Sequence, residues 1–369
     1  MNADFLHEST DLVAKVLYAR PSSTYDSMAE SGAVGTNADW ENNQAESWYI
    51  EAQRQGEEAI ISGLINEDPV AIEAGLKMFD WGFAQQSADG GFEGTGDPFH
   101  STSLFVHAVA RSLLLIEQSP LAQEYADVVE VYKEKLAAAA RWMIQPEVWE
   151  RGISNNQPYT HRRYVVATAL GLTSQLTGDS ELMDYARQSL TDGLALQQSN
   201  GVNPELGGYD SSYQMVSVIY AAQWVTYFPE NPLTADVVEM INRAINWEQS
   251  RVLANGEISS EGNTRTSGQE ILRTGQAKKI NHREIMRGFA YWASVSREQK
   301  WEEIARQVAQ FYYSDDKTVM KELYRGFDFA TLIYSPTAVE PQPESIPEPS
   351  TILGTIAAGV MGLALKRKS

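Results

Sequence analysis

The 369-residue chain contains no cysteine. This absence excludes thiol catalysis, iron–sulfur clusters and zinc sites with cysteine ligands. It does not identify the redox compartment, because many exported bacterial proteins also lack cysteine. The length is sufficient to bury a large core without disulfides or a structural metal.

Basic residues are also few. The chain has 29 Lys and Arg residues against 49 Asp and Glu residues, and its formal net charge is -20. We expect no nucleic-acid partner, because phosphate contacts require clustered basic side chains. The five His residues show neither an HxxxH nor an HExxH pattern, and the chain has no P-loop or dinucleotide fingerprint. We therefore expect no metal and no cofactor.

The C-terminus is built from three unlike parts. Pro336 to Pro349 is a stretch rich in Pro and Glu, which favours an extended linker over a helix. Thr351 to Leu365 is uncharged and mostly apolar, but it is shorter than the roughly 20 residues of a comfortable membrane span. The basic cluster Lys366 to Lys368 would hold this end on the cytoplasmic side of a membrane.

Pro347, Glu348 and Pro349, followed by the short apolar helix and the basic end, closely resemble the PEP-CTERM sorting signal. The resemblance implies recognition by an exosortase in the inner membrane, cleavage near these residues, and release or attachment at the cell surface. Residues 1–20 contain no apolar run of seven or more, so no export signal is visible at the other end. We expect an N-terminal segment (1–40), a main domain (41–330), a linker (331–349) and the sorting signal (350–369).

The main domain has helical periodicity and almost no strand signals. Pairs of amphipathic segments are predicted at 45–65 with 69–86, 101–117 with 121–144, 161–176 with 180–198, 212–228 with 234–250, and 282–295 with 298–313. The second segment of four pairs ends in Gln, at spacings of 59, 53 and 51 residues, and a glycine-containing loop follows each one.

Short and long connections alternate along these pairs, so the long loops 89–100, 146–160, 199–211 and 251–281 should lie at one end. We predict an all-α fold, an incomplete (α/α) toroid of about five helical hairpins. A straight solenoid is the structural alternative. Loops held by a rigid scaffold commonly carry the binding residues of a protein.

The long loops contain amide, imidazole, phenol and guanidinium groups in an otherwise acidic chain. The candidate site residues in these loops and at the helix starts that follow them are His100, Asn155, Asn156, His161, Tyr209, Tyr213, Asn263, Arg265 and His282. Such a set suits an anionic ligand. Nine Trp and seventeen Tyr residues also suit a groove with stacking platforms for sugars.

Helical hairpins whose loops carry Asn155-Asn156-Gln157, His161, Tyr209 and Arg265 resemble the (α/α)-toroid polysaccharide lyases, which include alginate and chondroitin lyases. The resemblance implies β-elimination on a uronate polymer. It predicts Asn156, His161, Arg265 and Asn263 as donors to the substrate carboxylate. It predicts Tyr209 as the base that removes the C5 proton, activated by a cation such as Arg265.

The remaining candidates (Asn155, His100, Tyr213 and His282) are predicted to bind substrate. Three other classes of protein are open. An (α/α)-barrel glycoside hydrolase would need two carboxylates across the cleft, and the available ones are Asp97, Glu205, Asp210 and Glu261. A terpene-cyclase-like toroid is suggested by QQSADGGF at 85–92, but the sequence has no Asp-rich DxDD or DDxxD motif. A non-catalytic surface or matrix protein could bind glycan through the same face.

Overall fold

The computed structural model describes residues 28–35, 50–92, 97–266, 268–271 and 275–313. The predicted linker and C-terminal apolar helix lie outside these ranges. The described residues form eleven α-helices after a 3₁₀ turn at Ile50–Arg54, and their β pairing is limited to isolated bridges. The helices are α1 (Gln55–Asn66), α2 (Pro69–Ala84), α3 (Pro98–Glu117), α4 (Ala126–Met143), α5 (Pro146–Asn156), α6 (His161–Thr177), α7 (Ser180–Leu196), α8 (Ser211–Tyr227), α9 (Thr234–Gln249), α10 (His282–Ser296) and α11 (Gln299–Tyr313).

Five of these helices form an inner ring, in the order α1, α3, α6, α8 and α10, each packed on the next. Each inner helix forms a hairpin with an outer one: α2, α4, α7, α9 and α11 respectively. An ion pair of 2.8 Å between Arg283 of α10 and Glu58 of α1 joins the last inner helix to the first. The predicted (α/α) toroid of five hairpins is therefore confirmed.

The inner helices are apolar on most sides because they pack on two neighbours and an outer helix. α3 buries 17 of its 20 residues, whereas the outer helix α7 buries five of 17. Among the described residues, α3 alone has the length and hydropathy of a possible membrane span, and its apolar window is wholly buried in the fold.

A repeated glycine fixes the segment before four of the five hairpins against the outer helix of that hairpin. Gly32, Gly90, Gly201 and Gly256 have φ of 97°, 96°, 95° and 91°. A Cβ at any of them would come within 3.0 Å of a backbone carbonyl oxygen on the next outer helix, at Lys77, Ala138, Arg243 and Gln307 in that order. Only glycine satisfies both the left-handed conformation and this close approach.

Gln86, which belongs to the repeat, and Gln197, which precedes the repeated Gln198, attach two of the same loops. The amide of Gln86 donates to the carbonyls of Gly90 and Lys135, and the amide of Gln197 donates to those of Gly201 and Met240. Each Gln therefore joins its own loop to the next outer helix. The repeated residues therefore mark equivalent contacts between a loop and the outer helix of the next hairpin.

The prediction of a loop at 146–160 was wrong over most of that range. Pro146–Asn156 form α5, with Pro146 at the first helical position, where its missing N–H costs nothing. Gly152, which the sequence suggested as a loop glycine, lies within this helix and packs against the ring of Phe99. The connection before α6 is consequently reduced to residues 157–160.

Candidate active site

The inner helices all begin at one end of the ring, which we call the mouth. His100, His161, Tyr213 and His282 lie in the first turns of α3, α6, α8 and α10. The connecting loops meet there through bridges between Tyr159 and Glu205 and between Tyr209 and Asn263. The long loops therefore share one end, as the alternation of connection lengths predicted.

His161 is held by a buried carboxyl group. Its Nδ1 lies 2.7 Å from Oε1 of Glu205, and its backbone N–H donates to the same oxygen at 3.1 Å. Glu205 is fully buried and His161 is 4% exposed. Nε2 of His161 makes no hydrogen bond to any residue that the structure describes. The pair thus fixes the ring and leaves one nitrogen without a partner.

The loop that carries Glu205 is a tight turn. Leu206 has φ of 51° and Gly207 has φ of 82°, both in the left-handed region. Leu206 is 44% exposed at the tip of this turn, and its N–H donates to the carbonyl of Pro158 at 2.9 Å. Such strain in a non-glycine residue is common at functional loops.

Tyr213 stacks on His161 with ring centroids 4.2 Å apart. The guanidinium of Arg265 lies 4.2 Å from the centroid of the Tyr213 ring, and Nζ of Lys278 lies 3.3 Å from the Tyr213 hydroxyl. Arg265 is also 3.6 Å from Oε2 of Glu205 and forms a bidentate pair with Glu270, at 2.7 and 3.2 Å. A phenol, an imidazole and two cations therefore share one centre.

A second group of polar residues adjoins His161. Arg162 pairs with Asp97 at 2.7 Å and donates to Oδ1 of Asn156 at 3.2 Å. Because that bond fixes the amide, Nδ2 of Asn156 is the free donor, and it is buried without a partner in the described structure. Nδ1 of His100 is likewise buried and unpaired, and the His100 ring contacts His161 with a centroid distance of 6.2 Å.

Asn263 repeats this arrangement on the longest loop. Its Oδ1 accepts from the N–H of Arg265 at 2.9 Å, so its Nδ2 is again a buried donor, with no partner in the resolved ranges. Thr264 anchors the loop by donating its hydroxyl to the carbonyls of Glu205 and Tyr209, both at 2.8 Å. A buried unpaired donor costs about 1–3 kcal/mol, which a ligand or an ordered water would offset.

The pKa values of the site follow from burial and the local cations. Burial lowers the pKa of His161 well below its ordinary range, and Arg162, Arg265 and Lys278 lower it further. Burial raises the pKa of Glu205 to about 8 and that of Tyr213 to about 12. His161 and Tyr213 are therefore both neutral at pH 7.

Tyr209 lies at the edge of this centre and its hydroxyl is already engaged. The hydroxyl contacts the carbonyl of Glu261 and accepts from Nη2 of Arg251 at 2.9 Å. The cation beside Tyr209 is thus Arg251, and the expectation that Arg265 fills this position was wrong. Burial raises the pKa of Tyr209 despite Arg251, so the phenol is not activated as a base here.

Two candidates from the sequence lie apart from the His161 centre. The ring of His282 stacks on Tyr312 at 4.3 Å and contacts Tyr313 at 5.2 Å, both on α11. Asn155 is exposed on the last turn of α5, while its neighbour Asn156 is buried. Their predicted roles in substrate binding stay predictions.

Several residues of the centre were not predicted as site residues. Glu205 had been considered only as a hydrolase carboxylate, and Lys278 and Glu270 had no assigned role. Nothing in the sequence joins position 205 to position 161, because the contact spans 44 residues and depends on the turn at Leu206. No cluster of three or more metal-binding side chains occurs in the part of the chain that the structure describes.

The four carboxylates considered for a hydrolase differ in burial, helix capping and ion pairing. Asp97 and Asp210 cap α3 and α8, accepting from His100 N and Tyr213 N at 3.3 and 3.0 Å. Asp210 and Glu205 are fully buried, and Glu261 is exposed. Asp97 is partly exposed but paired with Arg162. Within the described ranges, Glu261 is therefore the only one of the four that is exposed and forms no ion pair.

Comparison with known proteins identifies the C-terminal signal and the fold. A model of the PEP-CTERM protein-sorting motif matches residues 345–368. The chain therefore carries this motif, as the sequence predicted. The motif indicates export through a precursor with a membrane-anchored C-terminus and processing by an exosortase-type enzyme. No curated protein is significantly similar to the chain in sequence.

Two solved structures share the toroid. A glycosyl hydrolase of family 88 from Bacteroides vulgatus aligns with a TM-score of 0.55 and 10% identity, over 84% of this chain and 85% of the hydrolase. The chondroitin AC lyase of Streptomyces coelicolor A3, solved with chondroitin sulphate, aligns with a TM-score of 0.53 and 12% identity. That alignment covers 93% of this chain but 46% of the lyase. At these identities the likeness is one of fold alone.

Proposed function

We propose that the protein is an exported carbohydrate-active enzyme, a lyase that cleaves a uronate-containing polysaccharide by β-elimination. The observation that carries this proposal is the centre formed by Glu205, His161 and Tyr213. A neutral imidazole with one nitrogen free stands against a protonated phenol, and cations surround both. β-Elimination needs such a base and acid close together.

In the proposed reaction, Nε2 of His161 takes the C5 proton of the uronate. The C4–O4 bond breaks as the C4–C5 double bond forms, and the Tyr213 hydroxyl gives its proton to the departing O4. Solvent then restores both groups. Glu205 orients the imidazole through Nδ1, so that Nε2 faces the substrate. This proposal transfers the base role from Tyr209 to His161, because the Tyr209 hydroxyl is engaged by Glu261 and Arg251.

Negative charge develops on the uronate carboxylate as the proton leaves, and hydrogen-bond donors aimed at it lower the barrier by several kcal/mol. Lys278, whose contacts with Glu270 are long at 3.4 and 3.5 Å, and the free amide donors of Asn156 and Asn263 are the groups that we assign to this carboxylate. Arg265 is already paired with Glu270 and Glu205. Its role is to hold the loop and to supply positive potential.

The site of action follows from the sorting motif. We propose that the chain is held briefly in the inner membrane by its C-terminal helix, is cleaved by an exosortase-type enzyme near Pro347 to Ser350, and acts at the cell surface or outside the cell. An acidic polysaccharide of the matrix or the surroundings would be available to it there.

A pair of isosteric variants tests the assignment. Tyr213→Phe should reduce kcat on a competent uronate polymer by roughly a hundredfold or more, since it removes the proposed acid. Tyr209→Phe, which removes the same atom from a tyrosine in the loop just before α8, should reduce kcat by less than tenfold. A large loss with Tyr209→Phe and a small loss with Tyr213→Phe would restore Tyr209 as the catalytic phenol and contradict our assignment.

A glycoside hydrolase is the second candidate, favoured by the toroid of the family 88 enzyme, which aligns over most of both chains. It would require carboxylates in place of His161 and Tyr213. Asp97 and Glu270 are the partly exposed carboxylates at the centre, and each pairs with an Arg. A glycan-binding protein without catalysis would use the same donors. Loss of turnover in Asp97→Asn and Glu270→Gln, with His161→Ala active, would favour the hydrolase.

A further inference from the structure

A groove runs along the outer helix α9 toward the mouth. Its volume is about 650 Å³. It is bounded by the loop after α7 and by one face of α9, with lining residues that include Ser199, Asn200, Asn246, Trp247 and Ser250. The side chains offer amides and hydroxyls along the walls, one indole near the end where α9 stops, and the ion pair of Glu239 and Arg243 between them.

Trp247 connects this groove to the candidate site. Its ring contacts the ring of Tyr209 edge to face, with a centroid distance of 4.7 Å. The Arg251 guanidinium lies 6.0 Å from the centroid of the Trp247 ring and also contacts Tyr209. Tyr209 in turn pairs through its backbone with Asn263. Trp247 therefore contacts both the groove and a residue at the edge of the mouth.

We propose that this groove is a second saccharide-binding site, which holds sugar residues of the same acidic polysaccharide several units away from the cleaved bond. Trp247 would stack on the apolar face of a pyranose ring, and Asn200, Asn246 and Ser250 would pair with its hydroxyl groups. Arg243 at the groove is paired with Glu239 at 3.0 Å, so the positive charge that favours an acidic sugar over a neutral one comes from Arg251 beside the groove. The proposal rests on the function proposed above for the choice of ligand.

The repeat provides an internal comparison. Trp81, Trp142 and Trp247 each lie in the last turn of an outer helix, five, three and two residues before Gln86, Gln145 and Gln249. Trp142 is buried, and its indole contacts Gly91. Trp81 and Trp247 are both partly exposed, but only Trp247 lines the groove. Trp81→Ala is therefore a matched control that removes an equivalent indole elsewhere on the ring.

The experiment compares Trp247→Ala with Trp81→Ala on a long uronate polymer and on a short oligosaccharide of the same composition. We expect Trp247→Ala to raise KM for the polymer about tenfold more than for the oligosaccharide, which is too short to reach the groove. Trp81→Ala should raise neither. Trp247→Phe, which keeps an aromatic face, should recover most of the polymer affinity, and this recovery separates stacking from a packing defect.

Binding without cleavage separates this proposal from the proposed function. The retention of each variant by immobilised polymer would be measured in a His161→Ala background, in which turnover is absent. Selective loss of retention with Trp247→Ala supports the groove even if the wild-type protein cleaves no polymer. Equal retention of the Trp247→Ala and Trp81→Ala variants overturns the groove proposal even if the wild-type protein is a lyase. The proposal is also overturned if the His161→Ala protein with an intact groove is not retained by the polymer.

Discussion

Nη2 of Arg283 donates to Oε1 of Glu58 at 2.8 Å, and this bond connects the tenth helix to the first across 225 residues of sequence. Both side chains are partly buried, with 26% and 20% of their surface exposed. A partly shielded pair retains more of its Coulomb energy than an exposed one. The ion pair therefore helps to stabilise the closed ring.

The first prediction concerns this closure. In a double-mutant cycle with Glu58→Gln and Arg283→Gln, the coupling free energy of unfolding should be about 1 kcal/mol. The exposed pair of Arg187 and Asp184 within α7 is the control, and its coupling should be close to zero. Urea denaturation provides the measurement. Equal coupling in the two pairs would mean that the ring does not depend on the Arg283 contact.

The repeated glycine predicts a difference between two substitutions with the same backbone strain. Gly201 and Gly207 both have positive φ, 95° and 82°, but a Cβ at Gly201 would collide with the carbonyl of Arg243, while nothing lies within 4 Å of one at Gly207. Gly207→Ala should cost about 1–2 kcal/mol from the left-handed backbone alone. Gly201→Ala should cost clearly more, because α9 must also move. Equal losses of unfolding free energy in the two variants, measured by urea denaturation, would show that the close approach of Gly201 to Arg243 does not contribute to stability.

The buried Glu205 predicts a pH dependence of stability. Its folded pKa of about 8 is above its ordinary value, so the native state keeps a proton that the unfolded chain has lost. Its stabilising contribution is complete below the ordinary pKa and is lost as pH rises through about 8. Between pH 7 and 8 the wild type should lose roughly 1 kcal/mol more stability than Glu205→Gln.

His161 does not disturb that comparison. Its pKa is lowered on folding, so its contribution is lost only as pH falls below its ordinary value of 6.5. Urea unfolding of both proteins at pH 7 and pH 8 gives the two differences. Parallel changes in wild type and variant would show that the Glu205 carboxyl does not keep a proton on folding and would contradict this prediction.

The sorting motif predicts the end of the mature protein. Mass spectrometry of the exported fraction should find a C-terminus between Pro347 and Ser350. Replacement of Glu348 by Ala should leave the precursor uncleaved in the membrane fraction. Recovery of intact exported chain that ends at Ser369 would count against processing at this signal.

The fold could be predicted well from the sequence because the information is local. Hydrophobic periodicity and glycine punctuation placed most helix ends within a few residues, as at His161, where α6 begins as expected. The helix α5 was missed because its apolar stripe is short and the segment ends in polar residues that resemble a loop. Propensity alone does not separate a short surface helix from such a loop.

The composition of the site could be predicted, but its connections could not. Residue type and loop position were enough to select His161, Tyr213, Asn156 and Asn263, which the structure places at the mouth. The partner of each depends on how loops from different hairpins meet. Tyr209 is an example, because its hydroxyl accepts a hydrogen bond from Arg251, and nothing in the sequence distinguishes Arg251 as its partner.

We propose that the protein performs elimination and not hydrolysis. The most direct measurement counts two products after incubation of the purified protein with a panel of uronate polymers: new reducing ends, and unsaturated uronate ends by their ultraviolet absorbance. Our account predicts one unsaturated end for every new reducing end, and the loss of both with His161→Ala. New reducing ends without ultraviolet absorbance would contradict it.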